Sequence, residues 1–306
     1  MFLIIANQIL KMLLLMLVGY LCYRLKLIDQ AGNKTLANLL LMVVNPVLAL
    51  MALQADYSPH LVTGLLTAFA LAIVSQLAAI LVTKILIKKS GNPDYSIDAF
   101  SCIYANCGFM GIPLVQSILG SEGVLYLTAY MTVFNILSWT HGVVVMTGKS
   151  TWKDFKKGLL SPMIIASTLG LILFFTQIRF PSVLADTLNY IGGMNSPLAM
   201  IIAGVSVAQT DLPRMLQNRK IYFITLVKLL LVPALTLGIL ALVRTDFTVA
   251  CTILVASACP TAATCTMFAL RFHKDYRHSS EIYAFTTLCS LATIPLFVYA
   301  AEHLLA

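Results

Sequence analysis

Charge is what this chain has least of. Of its 306 residues only 10% are Asp, Glu, Lys or Arg, whereas a soluble domain carries roughly a quarter. A surface wetted on all sides cannot be built from so few, so most of the exterior must face lipid. A long polar stretch that could form a separate soluble domain is also missing. The seven cysteines, Cys22, Cys102, Cys107, Cys251, Cys259, Cys265 and Cys289, are odd in number, contain no CxxC pair and lie in or beside apolar runs. They read as small buried hydrophobes rather than disulfides, metal ligands or redox groups. None of the 12 acidic residues falls well inside an apolar run; Asp98 and Glu281 lie at the edges of two. That argues against a coupling mechanism built on buried carboxylates.

Hydrophobic residues make up 59% of the chain and mean hydropathy is +0.90. About twenty apolar residues span a bilayer. Polar breaks leave ten such runs, at 2–23, 35–54, 61–87, 99–119, 124–146, 159–175, 188–208, 222–243, 247–269 and 282–301. The sixth is the shortest. The first lacks a basic leader and is read as a retained span rather than a cleaved signal. The expected fold is therefore an all-α integral membrane domain of ten transmembrane helices.

Basic residues sort by loop. Only four of the 20, Lys11, Arg179, Lys228 and Arg244, lie outside alternate loops. Those loops carry Arg24, Lys26 and Lys34; Lys84, Lys88 and Lys89; Lys149, Lys153, Lys156 and Lys157; Arg214, Arg219 and Lys220; and Arg271, Lys274 and Arg277. Positive loops stay in the cytoplasm, which places both termini outside. The +8 net charge follows from this bias and from anionic lipid, with no support for nucleic-acid binding.

The two halves resemble each other. Asn45-Pro46 in the second span matches Asn195-Ser196-Pro197 in the seventh. The fourth carries Cys107-Gly108-Phe109-Met110-Gly111-Ile112-Pro113 where the ninth carries Ala258-Cys259-Pro260-Thr261-Ala262-Ala263-Thr264. Pro46 to Pro113 is 67 residues and Pro197 to Pro260 is 63. Five spans per half invert the second copy, giving repeats at 1–148 and 159–306 around a short basic linker at 149–158. Pro233 and Pro295 have no first-half counterpart. Inverted repeats with interrupted helices at matching places mark secondary transporters.

Proline lacks an amide hydrogen and clashes with the carbonyl four residues back, so Pro113 and Pro260 are expected to interrupt the fourth and ninth helices. If the two breaks cross, two new helix starts face one another, with exposed donors suited to a carboxylate. The freed carbonyls and the hydroxyls of Thr261 and Thr264 suit a cation or water instead. Asn106 sits beside the first break, and Asn135, near Tyr130 and Trp139, could share its cavity or serve packing between helices. Asn45 and Asn195 are expected to steady the chain at Pro46 and Pro197. Lys228 is expected to snorkel to the cytoplasmic surface. Lys11 either snorkels outward or attracts an anion, and His141 reads as interfacial.

The run from Tyr104 to Leu114, with Gly19-Tyr20 before the first basic turn, Asn45-Pro46, and Cys259-Pro260 onward, resembles the auxin efflux carrier family. That family includes the plant PIN-type carriers and many bacterial permeases. The resemblance covers essentially the whole chain. It implies crossed, proline-broken helices four and nine and an elevator-like mechanism. Helices 1, 2, 6 and 7 would form a scaffold, often dimeric, and helices 3–5 and 8–10 would move the substrate. It also implies carboxylate substrates: auxin in plants, malate- or malonate-like acids in bacterial members. Asn106 matches the family's substrate-contacting asparagine. The short central loop favours a bacterial-type permease in the cell membrane, and Thr261 stands where plant members carry glutamine.

The expected substrate-site residues are thus Asn106, Gly108, Gly111, Pro113, Asn135, Pro260, Thr261 and Thr264. Partners are a small organic anion, lipid and a second copy of the chain. No cofactor or metal is expected, and sodium or proton coupling is left open. A channel, a membrane sensor or an intramembrane enzyme are the alternatives. The enzyme reading lacks any paired catalytic set at membrane depth.

Overall fold

The computed structural model describes residues 2–149 and 152–305. Ser150 and Thr151 of the predicted basic linker, and the side chains of Lys153 and Lys157, lie outside the described residues. Everything described is helical or turn; extended pairing is limited to one isolated antiparallel bridge, Ala105 to Thr261.

In chain order the helices are α1 (Phe2–Arg24), α2 (Gln30–Ala52), α3 (Pro59–Leu86), α4 (Tyr95–Ile103), α5 (Cys107–Thr147), α6 (Trp152–Leu159), α7 (Pro162–Thr176), α8 (Ser182–Ala208), α9 (Leu212–Gln217), α10 (Arg219–Val243), α11 (Phe247–Ala258), α12 (Thr264–Arg271) and α13 (Tyr276–Leu304). Seven, α1, α2, α3, α5, α8, α10 and α13, are long and apolar enough to cross a membrane. The shorter apolar helices are α7 and α11. Every predicted span falls on helix, but the fourth and ninth fall on two pieces each.

Helix ends follow local chemistry. Asp29, Asp211, Asn218, Asp246 and Asp275 each accept a backbone N–H from the first turn of the helix they precede, satisfying donors that have no partner inside the helix. Pro59 and Pro162 open α3 and α7, where a missing N–H costs nothing. Within α5, Gly120 has φ +66° and ψ −156°, a conformation closed to other residues. It divides α5 where the sequence separates the fourth and fifth spans.

Three internal prolines are accommodated without breaking their helices. Ahead of Pro46, Pro113 and Pro233 the chain makes a π turn, over Leu40–Val44, Cys107–Gly111 and Val227–Leu231. The residue before each proline donates five back: Asn45 to Leu40, Ile112 to Cys107 and Val232 to Val227. The wider turn moves the carbonyl that the ring would otherwise strike. Pro113 is therefore not the point of interruption. The helix is unwound earlier, at residues 104–106, while Pro113 lies in the first turn of a continuing helix.

Packing sorts the helices. α1 lies along α8, and α2 packs on α7 and α8. α11 is enclosed by α3, α5, α10 and α13, with residues 249–258 all buried. α1 and α8 approach each other closely at two glycines. A Cβ on Gly204 would lie 1.9 Å from the Met16 carbonyl oxygen, and one on Gly19 would lie 2.2 Å from that of Ile201. Small residues are what let membrane helices approach so closely. Large apolar side chains such as Leu66, Leu81, Ile172 and Leu242 remain exposed on the outside, as a lipid-facing surface requires.

Candidate functional site

Two interrupted helices meet at one joint. α4 ends at Ile103, and Tyr104 is extended at φ −93°, ψ 118°; α11 ends at Ala258, and Cys259 is extended at φ −59°, ψ 149°. The freed backbone of one interruption bonds that of the other. The Asn106 N–H donates to the Pro260 carbonyl at 2.7 Å, and the Ala262 N–H donates to the Tyr104 carbonyl at 2.9 Å. Non-helical backbone at membrane depth survives only where protein satisfies it, and here each break pairs part of the other.

Thr261 locks the joint. It is fully buried; its hydroxyl donates to the Ser101 carbonyl at 3.1 Å, and its N–H donates to the Thr286 hydroxyl at 3.3 Å. Tyr104, also fully buried, donates its hydroxyl to the Leu137 carbonyl at 2.9 Å and stands 3.0 Å from Nδ1 of half-buried His141. His141 thereby braces the joint through Tyr104.

A cavity of about 490 Å³, counting the part open to the surroundings, lies against the joint. The starts of α5 and α12 both reach it: Cys107 and Gly108 on one side, Ala263 and Thr264 on the other. Each helix start contributes partial positive charge. Asn106, Asn45, Asn135 and Thr264 are its polar lining, and Leu41, Met131, Phe134 and Met163 are part of the apolar wall. The Asn106 amide nitrogen and the Thr264 hydroxyl make no close hydrogen bond among the described residues, although the buried Tyr283 hydroxyl stands near the Asn106 amide; Asn106 is only 5% exposed. A buried amide left unpaired is costly, so these atoms suit a ligand in the cavity. The Asn135 amide donates to the Met131 carbonyl of its own helix at 2.8 Å.

The expected residues thus divide. Asn106, Gly108, Asn135 and Thr264 line the cavity; Gly111, Pro113, Pro260 and Thr261 do not. Pro260 and Thr261 build the joint, and Gly111 packs behind the cavity against Cys107 and Cys259. Asn45 and Asn195 do not serve their own prolines. The Asn195 amide donates to Oδ1 of Asn45 at 2.7 Å and reaches the Gly108 carbonyl at 3.4 Å. Asparagines at matching places in the two halves therefore clasp each other beside the start of α5. Pro197 is exposed on α8.

Lys228 is where the structure departs furthest from expectation. It does not snorkel: it is fully buried in the π turn of α10, and its Nζ donates to the Ser257 carbonyl near the end of α11 at 3.4 Å. Its residue type and position within an apolar run were the available signal. The apolar wall of Leu41, Met131, Phe134 and Met163 had none, because nothing in the sequence separates a cavity-lining methionine from a packed one. Lys11 is exposed on α1. Asp98 and Glu281 are buried and paired, with His278 at 2.8 Å and Arg214 at 3.1 Å respectively.

Comparison with known proteins points to membrane transport. A protein from Methanothermobacter thermautotrophicus described as an uncharacterized transporter is 25% identical over 301 residues, covering 95% of this chain and 97% of its own. The family model described as membrane transport protein matches residues 4–154 and 146–298, together nearly the whole chain. With its apolar helices and interrupted, mutually paired breaks, the chain belongs to this membrane transport protein family, the auxin efflux carrier family that its motifs resemble.

Proposed function

We propose that the protein is a secondary transporter that carries a small organic anion, a mono- or dicarboxylate of the size of malonate or malate, by alternating access. The observation that carries this reading is the convergence of two helix starts and the Asn106 amide, which makes no close hydrogen bond among the described residues, on one cavity. Donors and partial positive charge, with no carboxylate in the lining among the described residues, favour an anion. The printed name of the Methanothermobacter relative, a transporter, supports the general class.

In this reading the chain crosses the membrane ten times as two inverted five-helix repeats, with both termini outside in a bacterial cell membrane. α1, α2, α7 and α8 form the scaffold, dimerising through its outer face. The joint moves as one unit with α3, α10 and α13. The close α1–α8 packing and the enclosure of α11 by α3, α5, α10 and α13 support that division. The Asn45–Asn195 clasp lies where the two groups meet.

The test is uptake into proteoliposomes of malate, malonate, succinate, lactate and indole-acetate, with and without an imposed potential. Saturable, counterflow-capable flux of one acid supports the carrier. Non-saturating flux points to a channel, chemical turnover to an enzyme, and no flux of any acid overturns the substrate class.

A further inference from the structure

Lys228 is fully buried, and among the described residues it has no ion-pair partner. A buried ammonium without a counter-ion costs several kcal/mol, so its position calls for a reason. Its Nζ is held by the carbonyl of Ser257, the next-to-last residue of α11; the Ser257 hydroxyl is itself bonded to the Leu254 carbonyl at 2.9 Å. Beyond Ala258 the chain is extended and Pro260 brings no N–H, so the last carbonyls of α11 lack their usual helical partners. The end of a helix carries partial negative charge. In transporters built on interrupted helices, this combination of unwound carbonyls and a half-helix end is where a coupling cation is held. The charged and titratable groups around Lys228 are Cys102 of α4, Cys107 at the start of α5 and Cys259 in the joint. Cys107 also lines the cavity. The ammonium therefore lies close to the same joint that borders the cavity, without lining the cavity itself.

We propose that Lys228 is the resident cation of the transport site: a fixed positive charge in the seat a sodium ion would otherwise fill. It completes the anion site from beside the joint and makes transport independent of sodium. This rests on the organic-anion reading above. Lys228 acts through the joint and does not touch substrate, so it is a positioning residue.

The experiment compares wild type with Lys228→Met, a neutral side chain of similar length, and Lys228→Ala, which empties the seat. One arm follows thermal unfolding in choline chloride and in ethylammonium chloride at equal ionic strength. Lys228→Ala should gain about 2–4 °C in ethylammonium, while wild type and Lys228→Met do not respond. The other arm measures flux of whichever acid of the panel wild type carries. Lys228→Met should lose at least about tenfold, Lys228→Ala should regain flux in ethylammonium, and wild type should carry equally in sodium and choline. Wild-type flux in folded Lys228→Met, or a sodium requirement in wild type, overturns the proposal. If wild type carries no acid of the panel, the organic-anion reading fails, and the thermal arm alone decides whether the seat holds a cation. Lack of any ethylammonium response by Lys228→Ala then overturns it.

Discussion

Asn106 performs two tasks with separate parts of one residue. Its backbone N–H closes the joint on Pro260, and its side-chain amide, near the Tyr283 hydroxyl, makes no close hydrogen bond beside the cavity. Asn106→Ala keeps the first and removes the second. We expect unchanged thermal unfolding and a KM for the transported acid raised roughly ten- to hundredfold, the worth of a hydrogen bond to a charged group. Saturation kinetics in proteoliposomes check this; unchanged KM would place the site elsewhere. Asn45 and Asn195 make a different case, because the bond between them is internal to the protein. Alanine at either should destabilise, and the two should be non-additive. A double-mutant cycle followed by SDS unfolding should return a coupling of about 0.6 kcal/mol or somewhat more, as for other hydrogen bonds between membrane helices. Zero coupling would mean that the clasp contributes nothing. At this scale the sequence was a partial guide. It marked Asn106 by its place before the glycines, and it paired Asn45 with Asn195 by repeat position. It could not reveal that these two side chains bond each other, since 150 residues separate them.

Among the elements, the joint and the α1–α8 contact depend on opposite devices. The joint uses unwound backbone, paired by Asn106 with Pro260 and Ala262 with Tyr104. The α1–α8 contact uses intact helices stripped to glycine where they touch. Gly204→Ala places a methyl 1.9 Å from the Met16 carbonyl oxygen, so the helices must move apart. We expect about 1–3 kcal/mol of destabilisation, the usual cost of overpacking. Gly238→Ala in α10, where nothing lies within 4 Å, should be neutral or slightly stabilising because alanine favours helix. Equal thermal shifts for the two variants would refute tight α1–α8 packing. Proline was the most visible signal in these elements and the easiest to misplace. Pro46, Pro113 and Pro233 are each absorbed by a π turn, while the unwinding of the α4–α5 run is at residues 104–106. A proline changes the hydrogen bonds of its own turn. Whether the helix opens there depends on whether another segment can pair with the released groups.

For the whole molecule, the lining of the cavity bears on energetics. Among the described residues no acidic side chain lines it, so a carried monoanion crosses with its charge uncompensated by a titrating carboxylate. One charge across 100 mV is worth about 2.3 kcal/mol. An inside-positive potential of that size should therefore raise the equilibrium accumulation of a carried monoanion about fiftyfold. Potassium gradients with valinomycin test this; accumulation indifferent to potential but following a pH gradient would mean that a proton travels with the acid.

Composition and the spacing of charge were enough for the class of molecule. With 10% charged residues and basic loops alternating between long apolar runs, no other arrangement keeps apolar side chains out of water and backbone groups bonded. Motif spacing likewise marked the second, fourth, seventh and ninth segments, because glycine, proline and asparagine are rare enough in apolar helices to stand out. Tertiary structure alone decided which of those residues meet. It put Thr261 in the joint and Thr264 in the cavity, three residues apart on a chain that changes direction between them. It also buried Lys228, which by position in its run had an open path to the surface, against the end of α11. The physical reason is the same in both cases. Apolar patterning records how far a residue sits from water, whereas the partner of a buried polar group is set by helices distant in sequence that pack around it.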